Sequence, residues 1–475
     1  MSLQHTNGGT VPSSHEALGD TGPKTSLAQL DSEPIDFKNE KCLSLWSDIR
    51  PVLAVCSIPE LHNHPSSKEI SRENNILSQV ASKLPTTKSE ALEVLRVPSS
   101  RTMKESYIAI ELPFKQQPHL AQLYQGCDAV IRIGKLLEDI DTLACMIAHK
   151  HCLPTGASPD HAQKIGLILI TAAVDRIDMI RPLHSGEAED LKLSGHVLHT
   201  TTSALEILVK VSAVGSEENK TVMIARVIMV ARDMETGVKR TIPSLLPALD
   251  DPSEQSLAGV FSHVRAKRHV PQLPVEKPLD LVHDRFRPTS SSYDLISHPL
   301  VSMTNSVSDL HMKAVRCTET RLSDSAWCHP QKRNLYGAVF GGYLMRLAYE
   351  NAFCAASLFA QKPVELVSLD NFEFKSSVEV GALLQLTSEI TRINDDELGS
   401  IQVYVQINST NMMTGKSKIS NRAYLTFKLV KSEEAVEKFV IPQTDGEAQR
   451  WLEGERRALS NIGMRNLVLQ TPLLL

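Results

Sequence analysis

Two parts of this chain share one design. The stretch from Asn334 to Gly342 reads as a polar loop and a paired-glycine turn, and helical spacing follows to about Ala360. Leu344, Leu347, Ala348, Asn351 and Ala355 place small, mostly apolar side chains on one face, which lets a helix lie close against a sheet. Earlier, Ile133 and Gly134 open a segment in which Leu136, Ile140, Leu143, Ala144 and Ile147 do the same. A strand-like run follows each helix. It carries an acidic residue repeated three positions on: Asp175 and Asp178 in the first, Asp370 and Glu373 in the second. A glycine comes eleven positions after the first acid in both, Gly186 and Gly381. The period is too long for a solenoid and means two similar domains.

Each repeat then reads as one strand, one long helix and about four antiparallel strands. In the first, a strand near Ser106–Phe114 precedes a helix over 135–150, and strands follow near 167–179, 190–199, 203–213 and 221–232. In the second, the helix spans 341–360. Ile401, Val403, Val405 and Ile407 alternate with Gln402, Tyr404, Gln406 and Asn408, the pattern of a half-buried antiparallel strand. A single helix wrapped by a curved antiparallel sheet accounts for this order, so the fold class is α+β with two such domains forming a pseudo-dimer. The domains are 104–242 and 317–432. Residues 243–316, rich in Pro, Ser and His, join them as a linker. Residues 1–40 form a disordered extension, 41–103 a region without an assigned role, and 433–475 a tail whose amphipathic piece, Ala448 to Ala458, packs back on a repeat.

Composition excludes several classes. A net charge of −5 and a pI near 6.4 do not suit a nucleic-acid-binding protein. No apolar run approaches the roughly 20 residues of a membrane span. The eight cysteines form no Cys-x-x-Cys pair, so neither a zinc site nor a disulfide framework is expected. No metal and no cofactor is called for. The N-terminal segment has acids where a transit peptide has arginines, and its first arginine is Arg50.

The chemistry lies where the repeats differ. Asn334 lies eight residues before Gly342, and the matching position before Gly134 is Gly126. Asp141 lies seven after Gly134, and the matching position after Gly342 is Tyr349. Each repeat keeps one polar group that the other lacks, so Asn334 and Asp141 can meet at one composite site while its counterpart is empty. Such a pair suits hydrolysis of an activated acyl group. The carboxylate takes a proton from water, worth about 10²–10⁴ in rate, or attacks the carbonyl itself. The amide orients the water or the carbonyl. Backbone N–H groups at Gly341 and Gly342 stabilise the oxyanion, each worth roughly 10²–10³. Gly134 and Glu138 join Gly341 and Gly342 as substrate-contacting candidates, with Glu138 one turn before Asp141. Asp139, about 200° round the helix from Asp141, points elsewhere. Asp175, Asp178, Asp370 and Glu373 are read as satisfied polar groups of the sheet, and the cluster Arg265 to His269 as a solvated linker segment.

The set of motifs resembles a known family. It includes Leu136 to Asp141 after Gly134, Ile177-Asp178-Met179, Leu193 to Val197, Met229 to Asp233, and His329 to Asn334 leading into Phe340-Gly341-Gly342. Together these resemble the tandem hotdog acyl-coenzyme A thioesterases, and within them the mitochondrial acyl-coenzyme A thioesterase 9 group. The resemblance covers roughly 104–245 and 315–450. It implies a hotdog fold for each repeat, hydrolysis of acyl-CoA to free acid and CoA, and assembly into homo-oligomers. It also implies a mitochondrial location, with the cytosol as the alternative given the acid-bearing N-terminus. In that family one half supplies an Asn and the other an Asp, roles that fall on Asn334 and Asp141. A non-catalytic acyl-CoA-binding or scaffold protein on the same fold is the alternative reading.

Overall fold

The computed structural model describes residues 98–126, 131–154, 164–181, 189–215, 220–246, 255–262, 276–286, 314–393, 400–430 and 438–469, with Ala162, Leu183 and Val436, although Pro182 within the loop after Met179 is not among them. The readings made for residues 1–40, for most of 41–103 and for the Arg265–His269 cluster lie outside these residues.

The elements follow the duplicated order. The first half contains β1 (Ile108–Leu112), α1 (Ile133–Cys152), β2 (Leu167–Met179), β3 (Asp190–Thr200), β4 (Ala204–Val214) and β5 (Lys220–Asp233). The second contains β6 (Leu322–Trp327), α2 (Gly341–Ala360), β7 (Val364–Phe374), β8 (Leu383–Ile393), β9 (Ile401–Thr410) and β10 (Ser417–Leu429). All ten strands join one antiparallel sheet in the order β1-β3-β4-β5-β2-β7-β10-β9-β8-β6. The second half reads as the first in reverse. The seam is β2 against β7, where Asp178 faces Ser368, Arg176 faces Asp370 and Ala173 faces Glu373. With Asp175 and Asp370 as equivalent positions, the pair Asp178/Ser368 maps onto Glu373/Ala173, so the register reads the same from either half.

The period-2 strands turn one face toward the two helices. On α1, Leu136, Leu137, Ile140, Leu143, Ala144, Ile147 and Ala148 are all fully buried. This is the near-continuous burial expected of a helix enclosed by a sheet. α2 buries Leu344, Met345, Ala348, Ala352 and Ala356.

The sheet's other face is covered too. Helix 255–262 lays Leu257 and Phe261 against Leu198, Leu208 and Ile224. The helix Pro278–Phe286 packs Val282 against Ala448 and Trp451 of α3 (Asp445–Leu469). The stretch read as a plain connector therefore contributes two packed helices. Their helical spacing, Leu257 with Phe261 and Leu279 with Val282, is confined to short segments between Pro- and Ser-rich stretches. The tail folds back as its pattern implies, with the Arg392 guanidinium 4.0 Å over the Trp451 ring. Among the described residues no helix is long and apolar enough to cross a membrane.

Buried His149 and His151 and half-buried His196 predict a pH dependence for this fold. Burial lowers the pKa of His196, on β3, to about 4, and lowers those of His149 and His151. A histidine held neutral in the folded chain is protonated earlier in the unfolded one. Its contribution is therefore full above about pH 6.5 and is lost as pH falls toward 4. For His196 the loss is roughly 3 kcal/mol. The urea midpoint should fall between pH 6.5 and 4.5, and His196→Gln should fall less steeply. Equal slopes for the two proteins would contradict this.

Candidate active site

α1 crosses the start of α2, and the crossing is built from glycines. A Cβ on Gly342 would lie 2.8 Å from the Glu138 Cα and 2.6 Å from the Phe340 ring. One on Gly134 would lie 2.6 Å from the Arg346 side chain, and one on Gly341 would lie 2.9 Å from Asp141 Oδ2. Glu138 pairs with Arg346 at 3.2 Å and with Lys135 at 3.0 Å. Counted from Gly134 and Gly342, Glu138 and Arg346 are equivalent positions, so this ion pair joins one helix to its counterpart. Arg132 and Glu350 add a second inter-half pair at 2.6 Å.

These contacts bear on two readings of the sequence. Gly134 and Glu138, expected to touch substrate, have their partners within the protein: Gly134 makes room for Arg346, and Glu138 locks the helix crossing. The Gly342 contact is the more direct one. Its N–H, expected to serve an oxyanion, donates to Asp141 Oδ2 at 2.7 Å. The sequence shows that a paired-glycine helix start presents N–H groups, but only the packing of α1 on α2 decides what receives them.

Asp141 thus reaches from one half to the other. It is 2 % exposed. One carboxylate oxygen accepts from the first turn of α2, where helix N–H groups lack partners within the helix and favour negative charge. The other accepts from Thr171 Oγ1, on β2, at 2.8 Å. Asp139 does point away: it is fully buried and accepts a hydrogen bond from Tyr124 Oη at 2.7 Å.

Thr171 escaped the sequence reading, although a signal was present. With Asp175 aligned on Asp370, its counterpart is Leu366. The polar-to-apolar difference is the one that marks Asn334 against Gly126 and Asp141 against Tyr349. The counterpart position on α2 is filled by rings: Tyr349 lies 6.1 Å from Phe353 and 6.2 Å from Phe427.

Asn334 sits in the loop that leads into α2. Its Oδ1 accepts from the N–H groups of Tyr336 (2.9 Å) and Ala338 (3.1 Å). Its own N–H donates to the Ala338 carbonyl at 2.7 Å. Gly337, at φ +80°, makes the tight turn these bonds require. With Oδ1 committed to the loop, Nδ2 is the atom that the side chain offers as a donor. His329 packs on Trp327 with ring centroids 4.7 Å apart and the planes tilted by 51°, as befits a loop-shaping residue. The acids of the seam are paired: Asp178 and Asp370 with Arg176, and Asp175 with Arg226.

The chain is similar to known proteins. The chain is 30% identical over 373 residues to acyl-coenzyme A thioesterase 9, mitochondrial, of Homo sapiens, covering 77% of this chain and 80% of that protein. It is 29% identical over 363 residues to acyl-coenzyme A thioesterase 10, mitochondrial, of Mus musculus, covering 75% and 78%. A solved acyl-CoA hydrolase of Staphylococcus aureus, in complex with butyryl coenzyme A, coenzyme A and coenzyme A disulfide, shares 24% identity. That match spans 33% of this chain and 96% of the solved one, at a TM-score of 0.31. No family model matches the chain.

Proposed function

The chain belongs to the acyl-coenzyme A thioesterase family, and we propose that its hydrolysis of acyl-CoA to free fatty acid and CoA takes place at one composite site between two hotdog repeats. The observation that carries this reading is the 2.7 Å hydrogen bond from the Gly342 N–H to Asp141, since it puts the carboxylate of one half at the helix start of the other. The symmetric register of the seam and the Glu138–Arg346 pair support two hotdog domains related as a pseudo-dimer.

The geometry supports the following roles. Asp141, oriented by Gly342 and Thr171, accepts the proton of the attacking water. Asn334 offers Nδ2 to the water or the thioester carbonyl. With the Gly342 N–H committed, the Gly341 N–H is the first-turn donor for the developing oxyanion, a contribution of roughly 10²–10³ in rate. The thiolate of CoA leaves as the tetrahedral intermediate collapses. The matching cleft offers Gly126, Tyr349 and Leu366, none of which supplies a carboxylate, an amide or a hydroxyl like that of Thr171.

Free thiol released from a panel of acyl-CoAs of different chain length tests the reading. Turnover of at least one class is expected, and no release from any would overturn it. The mitochondrial address in the relatives' names is proposed for this chain as well. Imaging of a tagged full-length chain checks it, and a diffuse cytosolic signal would count against it.

A further inference from the structure

The loop that carries Asn334 belongs to the second half, yet the first half holds it. At its far end, Gly342 is bound to Asp141. At its near end, the Tyr336 hydroxyl enters the groove between α1 and β2, where it lies 3.0 Å from the Leu169 N–H and 3.2 Å from His149 Nε2. The two anchors use the same two elements. Asp141 and His149 lie two helical turns apart on one face of α1, and Thr171 and Leu169 lie two residues apart on β2.

The protons at the near anchor can be assigned by elimination. His149 Nδ1 lies 2.7 Å from the Cys145 carbonyl oxygen, which can only accept, so Nδ1 carries the proton. Nε2 of the neutral ring is then an acceptor, and burial keeps the ring neutral by lowering its pKa. The Tyr336 hydroxyl therefore donates to Nε2 and accepts from Leu169. Leu169 lies beyond the end of the β2–β7 ladder, whose last pair is Ala173 with Glu373, so β7 supplies no partner for its N–H. The phenol takes that place.

We propose that Tyr336 is a positioning residue for hydrolysis: its hydroxyl latches the Asn334 loop of the second half to His149 and Leu169 of the first and so sets where the Asn334 amide points. The link is short, because the Tyr336 N–H donates directly to Asn334 Oδ1. This rests on the composite-site reading above. Catalytic groups tolerate little displacement, and a shift of about 1 Å can cost roughly 10²-fold.

A double-mutant cycle on the full-length chain tests the latch. Tyr336→Phe should lower kcat by about 10- to 10²-fold with KM nearly unchanged. In an Asn334→Ala background the same change should alter kcat less than about twofold, since residues that act through one another are not additive. His149→Leu removes the acceptor from the other side and should reproduce the loss, with no further loss when combined with Tyr336→Phe. An equal loss in both backgrounds, or none in either, would overturn the proposal. Hydrogen exchange gives a readout independent of turnover. The Tyr336 and Ala338 amides should exchange faster in both latch variants, and unchanged protection would overturn the latch itself. A protein that released no thiol from any acyl-CoA would defeat the hydrolysis reading, while the exchange result would still decide the latch.

Discussion

Asp141→Asn lowers kcat for acyl-CoA hydrolysis by at least about 10² with KM little changed, because it removes the base and keeps the volume. The amide oxygen can still accept from the Gly342 N–H, and the Thr171 hydroxyl can turn to meet an NH₂ group or an oxygen. The Glu138–Arg346 and Arg132–Glu350 pairs hold the helix crossing independently. The variant should therefore fold, with a melting temperature near that of the parent. Steady-state kinetics alongside a thermal melt make the check. An unchanged kcat would remove Asp141 from the mechanism.

The second large effect is on stability. Arg176 is 6 % exposed and donates to Asp178 at 2.7 Å through Nε and to Asp370 at 2.7 Å through Nη1. It ties β2 to β7 at the seam between the halves. Arg176→Met deletes the charge that both buried carboxylates face. Breaking a buried pair from one side costs about 3–5 kcal/mol, more than the pair contributes over a well-packed apolar substitute. A large drop in the urea midpoint is expected. Replacing the whole set, with Asp178→Leu and Asp370→Leu added, should recover part of it. A single variant as stable as the parent would show that the seam does not depend on this arginine.

The sequence was legible where local rules decide. The helix bounds of α2 and strands such as Ile401–Thr410 followed from period 3.6 and period 2, the strand Leu383–Ile393 was not singled out, and Asp139 was placed by its angle around α1. Asp141 and Asn334 stood out because the repeat supplies an internal control: each polar residue in one copy corresponds to Tyr349 or Gly126 in the other. Thr171 carried the same mark and was hidden by the extra residues between α1 and β2, which shift the alignment of strands relative to helices. What local rules cannot supply is contact between the halves. The Gly342 N–H bound to Asp141, Glu138 spent on Arg346, and Tyr336 held by His149 all depend on how α1 meets α2 and its loop. The helices of the connector were missed for a related reason: Leu257, Phe261 and Val282 have partners far away in sequence, and their helical spacing runs for only two turns or so in each segment.

The claim that one site, shared by both halves, does the chemistry is tested most directly by kcat for Asn334→Ala, Asp141→Asn and the double variant, measured on the same acyl-CoA. The composite site predicts that each single change cripples the enzyme by about 10² or more and that the double is little worse, because both groups serve one transition state. Two independent sites would leave each single variant with about half the parent rate and only the double inactive, and that result would contradict the account.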